Sequence, residues 1–164
     1  MQFREIKDEG GGGGKSFLKL KDGDAIVGCF RGEIHEFYGL WGASKLTPCA
    51  PDTPGASFRF RINFVYKENG ALISKIWEQG VTMYKALADL QAEYGDLEKC
   101  WVKVKRSGST KDDTTYSVLP IKQFEVTAEQ EKHLSAVKLL PLENQTKQSA
   151  GEGRGPSDDN DVPF

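Results

Sequence analysis

The sequence predicts a mainly β domain, built as a five-stranded Greek-key barrel with one helix between the third and fourth strands. Three observations support this fold class. Several segments alternate apolar and polar residues with a period of two, one segment changes to helical spacing, and the predicted elements follow the order β, β, β, α, β, β. A chain of 164 residues can hold one such domain and its tails.

The first strand is predicted within Phe17–Arg31, where two β-like pieces flank Asp22-Gly23-Asp24. Together they could form one long strand that bends at Gly28, because glycine within a strand marks a bend or a bulge. Residues 32–57 show little periodicity and contain three prolines. We therefore expect a long functional loop over residues 32–57.

The second and third strands give the clearest pattern in the chain. In FRFRINFVY, Phe58–Tyr66, every second residue from Phe58 is apolar up to Phe64, and the alternate positions begin with two arginines and an asparagine. This alternation predicts a core face and a cationic face. Asn69-Gly70 suits a tight hairpin, and residues 71–79 follow as the third strand, one side of which carries Ile73, Lys75 and Trp77.

Helical spacing replaces this pattern in residues 81–94, where apolar side chains recur every three or four positions and Gly95 suits the helix end. A period of two returns in Lys99–Arg106, with Cys100, Val102 and Val104 facing inward. The segment TTYSVLP predicts a fifth strand that ends at Pro120. The fourth and fifth strands complete the predicted barrel.

A second helix is predicted over Thr127–Leu139, because Thr127 and Gln130 have the form of a capping box. Composition and charge then divide the chain into four parts. Residues 1–14, with five consecutive glycines, form a flexible leader. Residues 15–122 form the barrel domain, with 16 basic against 13 acidic residues, a net charge of +3. Residues 123–140 form a helical extension, and residues 141–164 form a disordered acidic tail.

The order of elements matches the oligonucleotide/oligosaccharide-binding (OB) fold. The predicted outward positions of strands two to four interleave cations with indoles: Arg59, Arg61, Lys75, Trp77, Trp101, Lys103 and Lys105. Cations can follow a phosphate backbone while flat rings stack on unpaired bases, so the pattern predicts sequence-tolerant binding of single strands. Tyr116 in strand five and the loop aromatics Phe37, Tyr38 and Trp41 are further stacking candidates.

Each of these features also has a purely structural interpretation. Alternating charge is typical of any solvated strand face. The indoles of Trp77 and Trp101 could be covered by the C-terminal helix or by the long loop, and the loop aromatics could pin that loop by packing. Other small α+β domains can present the same order of elements.

The sequence gives little support for catalysis or metal binding. Its acidic pairs fall in polar turns, where exposed carboxylates are expected: Asp22/Asp24, Glu33/Glu36 and Asp112/Asp113. It contains no phosphate loop and no nucleophile elbow. Three cysteines without CxxC spacing do not form a zinc site, and we expect Cys29 and Cys100 to be buried free thiols. We therefore predict a protein that is not an enzyme and has no cofactor.

The same cysteine usage indicates a reducing compartment. The first fourteen residues contain five charged side chains and no apolar stretch of the kind found in secretory signals. No apolar run reaches the length of a transmembrane helix. These observations predict a cytoplasmic protein.

The end of the chain, DDNDVPF, is similar to the acidic, Pro-Phe-ended tip of bacterial single-stranded DNA-binding proteins. The segments FRFRINF, KIWEQG and LEKCWVKVKRSG resemble single-stranded DNA-binding proteins of tailed bacteriophages, and this resemblance covers roughly residues 15–122. It implies an OB barrel that coats exposed strands during replication, recombination and repair. The host-cell cytoplasm would then be its location.

The resemblance also implies a recruiting role for the tip, which would bind partners such as polymerases, helicases or repair enzymes. Its residues would be Asp158, Asp159, Asp161, Val162, Pro163 and Phe164. Some phage relatives hold zinc between strands one and two, but here that loop has only Cys49 and the distant His35, so we expect no metal. A monomer and a homodimer are both compatible with the sequence.

Two alternatives to a DNA-binding barrel remain on sequence grounds. The barrel could prefer RNA, or it could be an adaptor that binds protein or carbohydrate and uses the acidic tail for charge alone. Ligand binding that is insensitive to salt and independent of Trp101 would favour the adaptor. A direct binding competition between DNA and RNA would distinguish an RNA-preferring barrel from a DNA-binding one.

Deletion of Ser157–Phe164 should tighten the binding of single-stranded DNA at low salt. The three aspartates of this segment would compete with DNA for the basic face, and a flexible tail of residues 141–164 spans roughly 25–30 Å, enough to return to it. Titration of the full chain and the shortened chain with the same oligonucleotide measures the effect. Equal affinities would refute the competition.

Overall fold

The computed structural model describes residues 16–42, 45–110 and 113–143. The described residues form six β-strands and two α-helices, with a short 3₁₀ turn at Leu97–Lys99. In chain order the elements are β1 Ala25–Gly42, β2 Lys45–Cys49, β3 Ser57–Glu68, β4 Ala71–Gly80, α1 Val81–Tyr94, β5 Cys100–Ser107, β6 Thr115–Glu125 and α2 Ala128–Ser135. The mainly β fold class and the helix between the predicted third and fourth strands are confirmed. The predicted leader over residues 1–14 lies outside the described residues, as do residues 144–164 of the predicted tail.

The six strands form one sheet in which each strand pair is antiparallel. Its hydrogen-bonded path is β4-β3-β1-β5-β6, and β2 pairs with the distal end of β1. The central strand β1 pairs with β5 through Ala25–Gly28 and with β3 through Gly28–Gly39. Gly28 is therefore the residue at which β1 passes from one neighbour to the other. The predicted first strand over Phe17–Arg31 is confirmed only in its second part, because β1 begins at Ala25 and Phe17 forms only an isolated bridge with Ile76. A register irregularity lies between Arg31 and His35.

Two further predicted strand boundaries are wrong. Residues 32–57 are not a long loop, because β1 continues to Gly42 and its end pairs antiparallel with β2. Pairing with β3 on one side and with β2 at its end supplies hydrogen-bond partners that keep this part of β1 extended. The last strand also continues past Pro120. Proline is tolerated there because β6 is the last strand of the path and Pro120 lies beside the register shift in its pairing with β5.

The main core lies on the inner face of the sheet and is rich in aromatic rings. Phe30, Phe60, Phe64 and Trp77 are buried there together with valines of β5. The Trp77 ring lies 5.4 Å from Phe30 and 5.9 Å from Tyr116, between ring centroids. Since Trp77 belongs to β4 and Tyr116 to β6, the two end strands of the path meet across the core. The sheet is therefore curled around its inner face.

A second, smaller core lies on the outer face, beneath α2. Cys29, Val65 and Leu134 are buried in it, and Trp101 packs against them. The predicted capping box is confirmed, with Thr127 as N-cap and Gln130 as its partner, although the helix ends at Ser135 rather than at Leu139. The predicted helix over residues 81–94 is also confirmed, and it ends at Gly95 with φ of +95°.

An ion pair fixes α2 to the sheet. The Arg31 guanidinium donates to both carboxylate oxygens of Glu131, at 2.9 and 2.8 Å. This two-bond geometry is the stronger form of an arginine–carboxylate contact. The bonds from Arg31 hold the pKa of Glu131 at about 2. The charged pair thus persists to well below neutral pH.

The prediction that Cys29 and Cys100 are buried free thiols is confirmed. Burial raises the pKa of the Cys29 thiol to about 11, so it is protonated at neutral pH. Among the described residues, no group of His, Cys, Asp and Glu side chains is arranged to hold a metal ion. In the same part of the chain, each helix is too short or too polar to cross a lipid bilayer.

Replacement of Gly28 by alanine should lower the free energy of unfolding by about 1–3 kcal/mol, the usual cost of overpacking. A Cβ at this position would meet the Val65 carbonyl oxygen and would lie 2.6 Å from the Phe64 ring. Gly42→Ala is the matched control, because a Cβ there has no atom within 4 Å. Urea unfolding measures both variants, and equal destabilisation would contradict the role assigned to Gly28.

Candidate functional site

Aromatic and basic side chains meet on the outer face of the distal half of β1 and of β3. His35 lies opposite Arg61 in the strand register, and Phe37 lies opposite Arg59. The rings of His35 and Phe37 stack with centroids 5.5 Å apart. We call the set His35, Phe37, Trp41, Arg59 and Arg61 the arginine-aromatic strip.

Each arginine of the strip contacts an aromatic ring. The Arg59 Cζ atom lies 5.9 Å from the centre of the Trp41 ring. The Arg61 Cζ atom lies between two rings, 4.9 Å from Phe37 and 5.2 Å from Phe17. These distances are within the range of cation–π attraction. The strip is therefore ordered by contacts among its own members.

A buried carboxylate holds both guanidinium groups. Glu78 Oε1 accepts from Arg61 Nε at 2.9 Å, and Oε2 accepts from Arg59 Nη2 at 3.2 Å. The side chain of Glu78 is fully buried, whereas that of Arg59 is 18% exposed. Two arginines and one glutamate leave the trio with a net charge of +1. Arg59 is accordingly the arginine that can meet a ligand.

The C-terminal strap, residues 139–143, covers the other end of the strip. Asn63 Nδ2 donates to the Leu140 carbonyl at 3.0 Å, and the Leu140 N–H donates back to Asn63 Oδ1 at 2.9 Å. Arg61 Nη1 donates to the Leu142 carbonyl at 2.9 Å. Only 4% of Arg61 is exposed. The prediction that Arg61 is an outward cation open to a ligand is therefore wrong.

Three aromatic residues predicted to stack on bases belong instead to the inner side of the sheet. Trp77 pairs with Ile62 in the register of β3 and β4, which places both on the core face. Tyr116 contacts Trp77, and Tyr38 contacts Phe58 at 5.8 Å between ring centroids. The outward placement predicted for Trp77 is wrong. The indole fills the space between the ends of the curled sheet.

The remaining predicted residues lie away from the strip. The outward placement predicted for Lys75 is wrong, because it pairs with the core residue Phe64 in the register and lies half-buried on the same side of β4 as Trp77. Trp101, Lys103 and Lys105 share the outer face of β5, where both lysines are exposed. Trp101 is half-buried and donates from Nε1 to Gln130 Oε1 at 2.9 Å. The structure thus brings Arg59, Arg61 and Trp41 together and separates them from the β5 residues.

One member of the strip, His35, is absent from the predicted site. The predicted loop over residues 32–57 includes His35 and Phe37, although His35, Phe37 and Trp41 occur at even spacing. That period of two was the signal that indicated a strand with these rings on one face. The tip residues from Asp158 to Phe164 lie outside the described residues.

The Glu78→Gln substitution should lower the free energy of unfolding by about 3–5 kcal/mol, because it leaves the buried Arg61 charge without its carboxylate. Chemical denaturation provides the measurement. Glu93→Gln, at an exposed position of α1, is the control and should have an effect within about 0.5 kcal/mol. A Glu78 variant as stable as the control would show that the ion pairs are not needed.

Comparisons of the chain with protein-family models, with curated proteins and with solved structures find no match. The function must therefore be inferred from the strip, its neighbours and the fold that carries them. Two features of the site bear on this inference. The exposed Trp41 indole lies beside the partly exposed Arg59, and the C-terminal strap contacts the neighbouring Arg61.

Proposed function

We propose that the chain binds single-stranded DNA without catalysis and with little sequence preference, through the arginine-aromatic strip. The observation that carries this proposal is the pairing of Trp41, 43% exposed, with Arg59 on one face of the sheet. An exposed indole can stack on an unpaired base, and a neighbouring guanidinium can bind the adjacent phosphate. Bases within a duplex already stack on one another, so a single strand gains most from such a platform.

The fold supports the same proposal. We assign β1, β3, β4, β5 and β6 to the five strands of an OB barrel, with α1 between the third and fourth. In that fold, oligonucleotides bind across strands two and three and the loop between strands one and two. On this assignment the strip would lie at the corresponding place, since Arg59 belongs to β3 and Trp41 pairs with Leu46 of β2. The hairpin of β1 and β2 is then an insertion at the ligand face.

Electrostatics contribute a modest share of the binding. Arg59 and Arg61 share one carboxylate, so the strip alone attracts phosphates weakly. Lys103 and Lys105 are exposed on β5 and add cations beyond the strip. If about four cations contact phosphates, the logarithm of the affinity falls with the logarithm of salt concentration at a slope of roughly −3.

The proposal extends to the role implied by the tip. Bound to exposed strands during replication, recombination or repair, the chain would recruit a polymerase, a helicase or a repair enzyme through residues 158–164. An acidic segment with an aromatic side chain suits a pocket that has a basic rim. Pull-down of such enzymes by the full chain, but not by a chain lacking these residues, would support this part.

The Trp41→Ala variant should bind oligo-dT about fivefold to a hundredfold more weakly, because base stacking on an aromatic ring contributes about 1–3 kcal/mol. In the unaltered chain, the same titration should quench tryptophan fluorescence. Tyr94→Ala is the matched control, since Tyr94 is also an exposed ring but lies on α1. Its affinity should equal that of the unaltered chain.

Two results would overturn the proposal. Absence of both fluorescence quenching and a mobility shift with oligo-dT would exclude single-strand binding. Equal losses in the Trp41 and Tyr94 variants would exclude the strip as its site. Competition between DNA and RNA of the same sequence determines the preferred strand, and tighter binding of RNA would replace DNA by RNA in the proposal.

A further inference from the structure

A groove of about 790 Å³ lies on the outer side of the sheet, between the turn that joins β3 to β4 and the end of α2. Its lining includes Lys67, Leu72, Trp101, His133, Val137 and Lys138. This volume is within the range of small-molecule sites in proteins. The arginine-aromatic strip contributes no residue to it. We call it the Trp101 groove.

The indole of Trp101 is held in one orientation at this groove. Its Nε1 donates to Gln130 Oε1 at 2.9 Å, and the same oxygen accepts from the Thr127 N–H at 2.9 Å. The Gln130 side chain of the α2 capping box therefore holds the indole by the N–H group on the edge of its ring. The faces of the ring take no part in this hydrogen bond. A ring that is already immobile loses little conformational entropy when a flat ligand stacks on it.

The charges around the groove have one sign. Lys67 and Lys138 are exposed at its rim, and neither forms an ion pair with a described residue. His133 contacts Glu129, a solvent-exposed residue of α2 that does not line the groove. No Asp or Glu is found among the described residues that line it. The groove therefore favours an anion that also presents a flat or apolar part.

We propose that the Trp101 groove is a second contact site for the single strand, where one base stacks on Trp101 and adjacent phosphates meet Lys67 and Lys138. This inference rests on the proposed function, because the ligand is the same strand. A nucleotide satisfies both features of the groove, since its base offers a ring face and its phosphate offers the charge. One stretch of chain borders both sites, since Ala136, Val137 and Lys138 line the groove and the Leu142 carbonyl accepts from Arg61 of the strip.

Tryptophan fluorescence can report on the two sites independently, because each site contains a different tryptophan. Of the three tryptophans, Trp41 belongs to the strip, Trp101 lines the groove, and Trp77 is buried. In the Trp41→Phe variant, oligo-dT of about 16 nucleotides, the upper site size of one OB barrel, should still quench fluorescence. The quench should disappear when Trp101→Phe is added to that variant.

Charge reversal at the rim provides the second measurement. The double variant Lys67→Glu/Lys138→Glu should bind the same oligonucleotide about tenfold more weakly at low salt. Loss of two phosphate contacts should also make the salt slope less steep by about 1.4. The matched control is Lys85→Glu/Lys122→Glu, which makes the same change of charge at exposed positions of α1 and β6. It should retain the original slope.

The outcomes distinguish this inference from the proposed function. If the unaltered chain does not bind oligo-dT, both fail. If it binds with all quenching due to Trp41, and the two double variants bind alike, the second site is refuted while the proposed function stands. If the Lys67/Lys138 variant keeps its DNA affinity but loses binding of a synthetic Ser157–Phe164 peptide, the groove docks an acidic peptide and the inference is wrong.

Discussion

The outer face of the sheet depends on one buried carboxylate. Glu78 binds the guanidinium groups of Arg59 and Arg61 at once, and its side chain has no exposed surface. Without that negative charge, neither arginine would remain against its aromatic ring at acceptable electrostatic cost. Glu78 therefore holds the arginine beside which Trp41 lies. The carboxylate orders the strip, and it also halves the charge that the strip can offer to a phosphate.

Part of this architecture was predictable because it depends on neighbours in the sequence. The turn between β3 and β4 places Asn69 and Gly70 at positive φ, as the dipeptide predicts. The period of α1 and the capping box at Thr127 are local in the same sense. Each of these three features is determined by residues that are close together in the sequence. The mainly β class follows from the strand alternation by the same reasoning.

The errors arose where distant segments decide the outcome. Alternation shows that Arg61 and Asn63 lie on the face opposite the core, but not that residues 140 and 142 return to cover that face. The side of β4 that carries Trp77 is set by its register with β3. For residues 32–57, pairing with β3 and β2 outweighs the weak local preference. Burial and strand register depend on tertiary contacts that the local sequence does not reveal. The residues predicted to form one site therefore lie on two separate surfaces and in the core.

The pairing of β1 with both β3 and β5 also determines which surfaces the nascent chain exposes during synthesis. β1, β3 and β4 can pair as soon as they are synthesised, but the first residues of β1 have no partner until β5 follows. Until then Phe30 and Phe64 lack the cover that Val102 and Val104 provide. We expect a period in which a nascent sheet exposes an aromatic surface and an unpaired edge, the features that chaperones bind and that favour aggregation. The central strand that unites the finished domain is thus its most vulnerable part during synthesis.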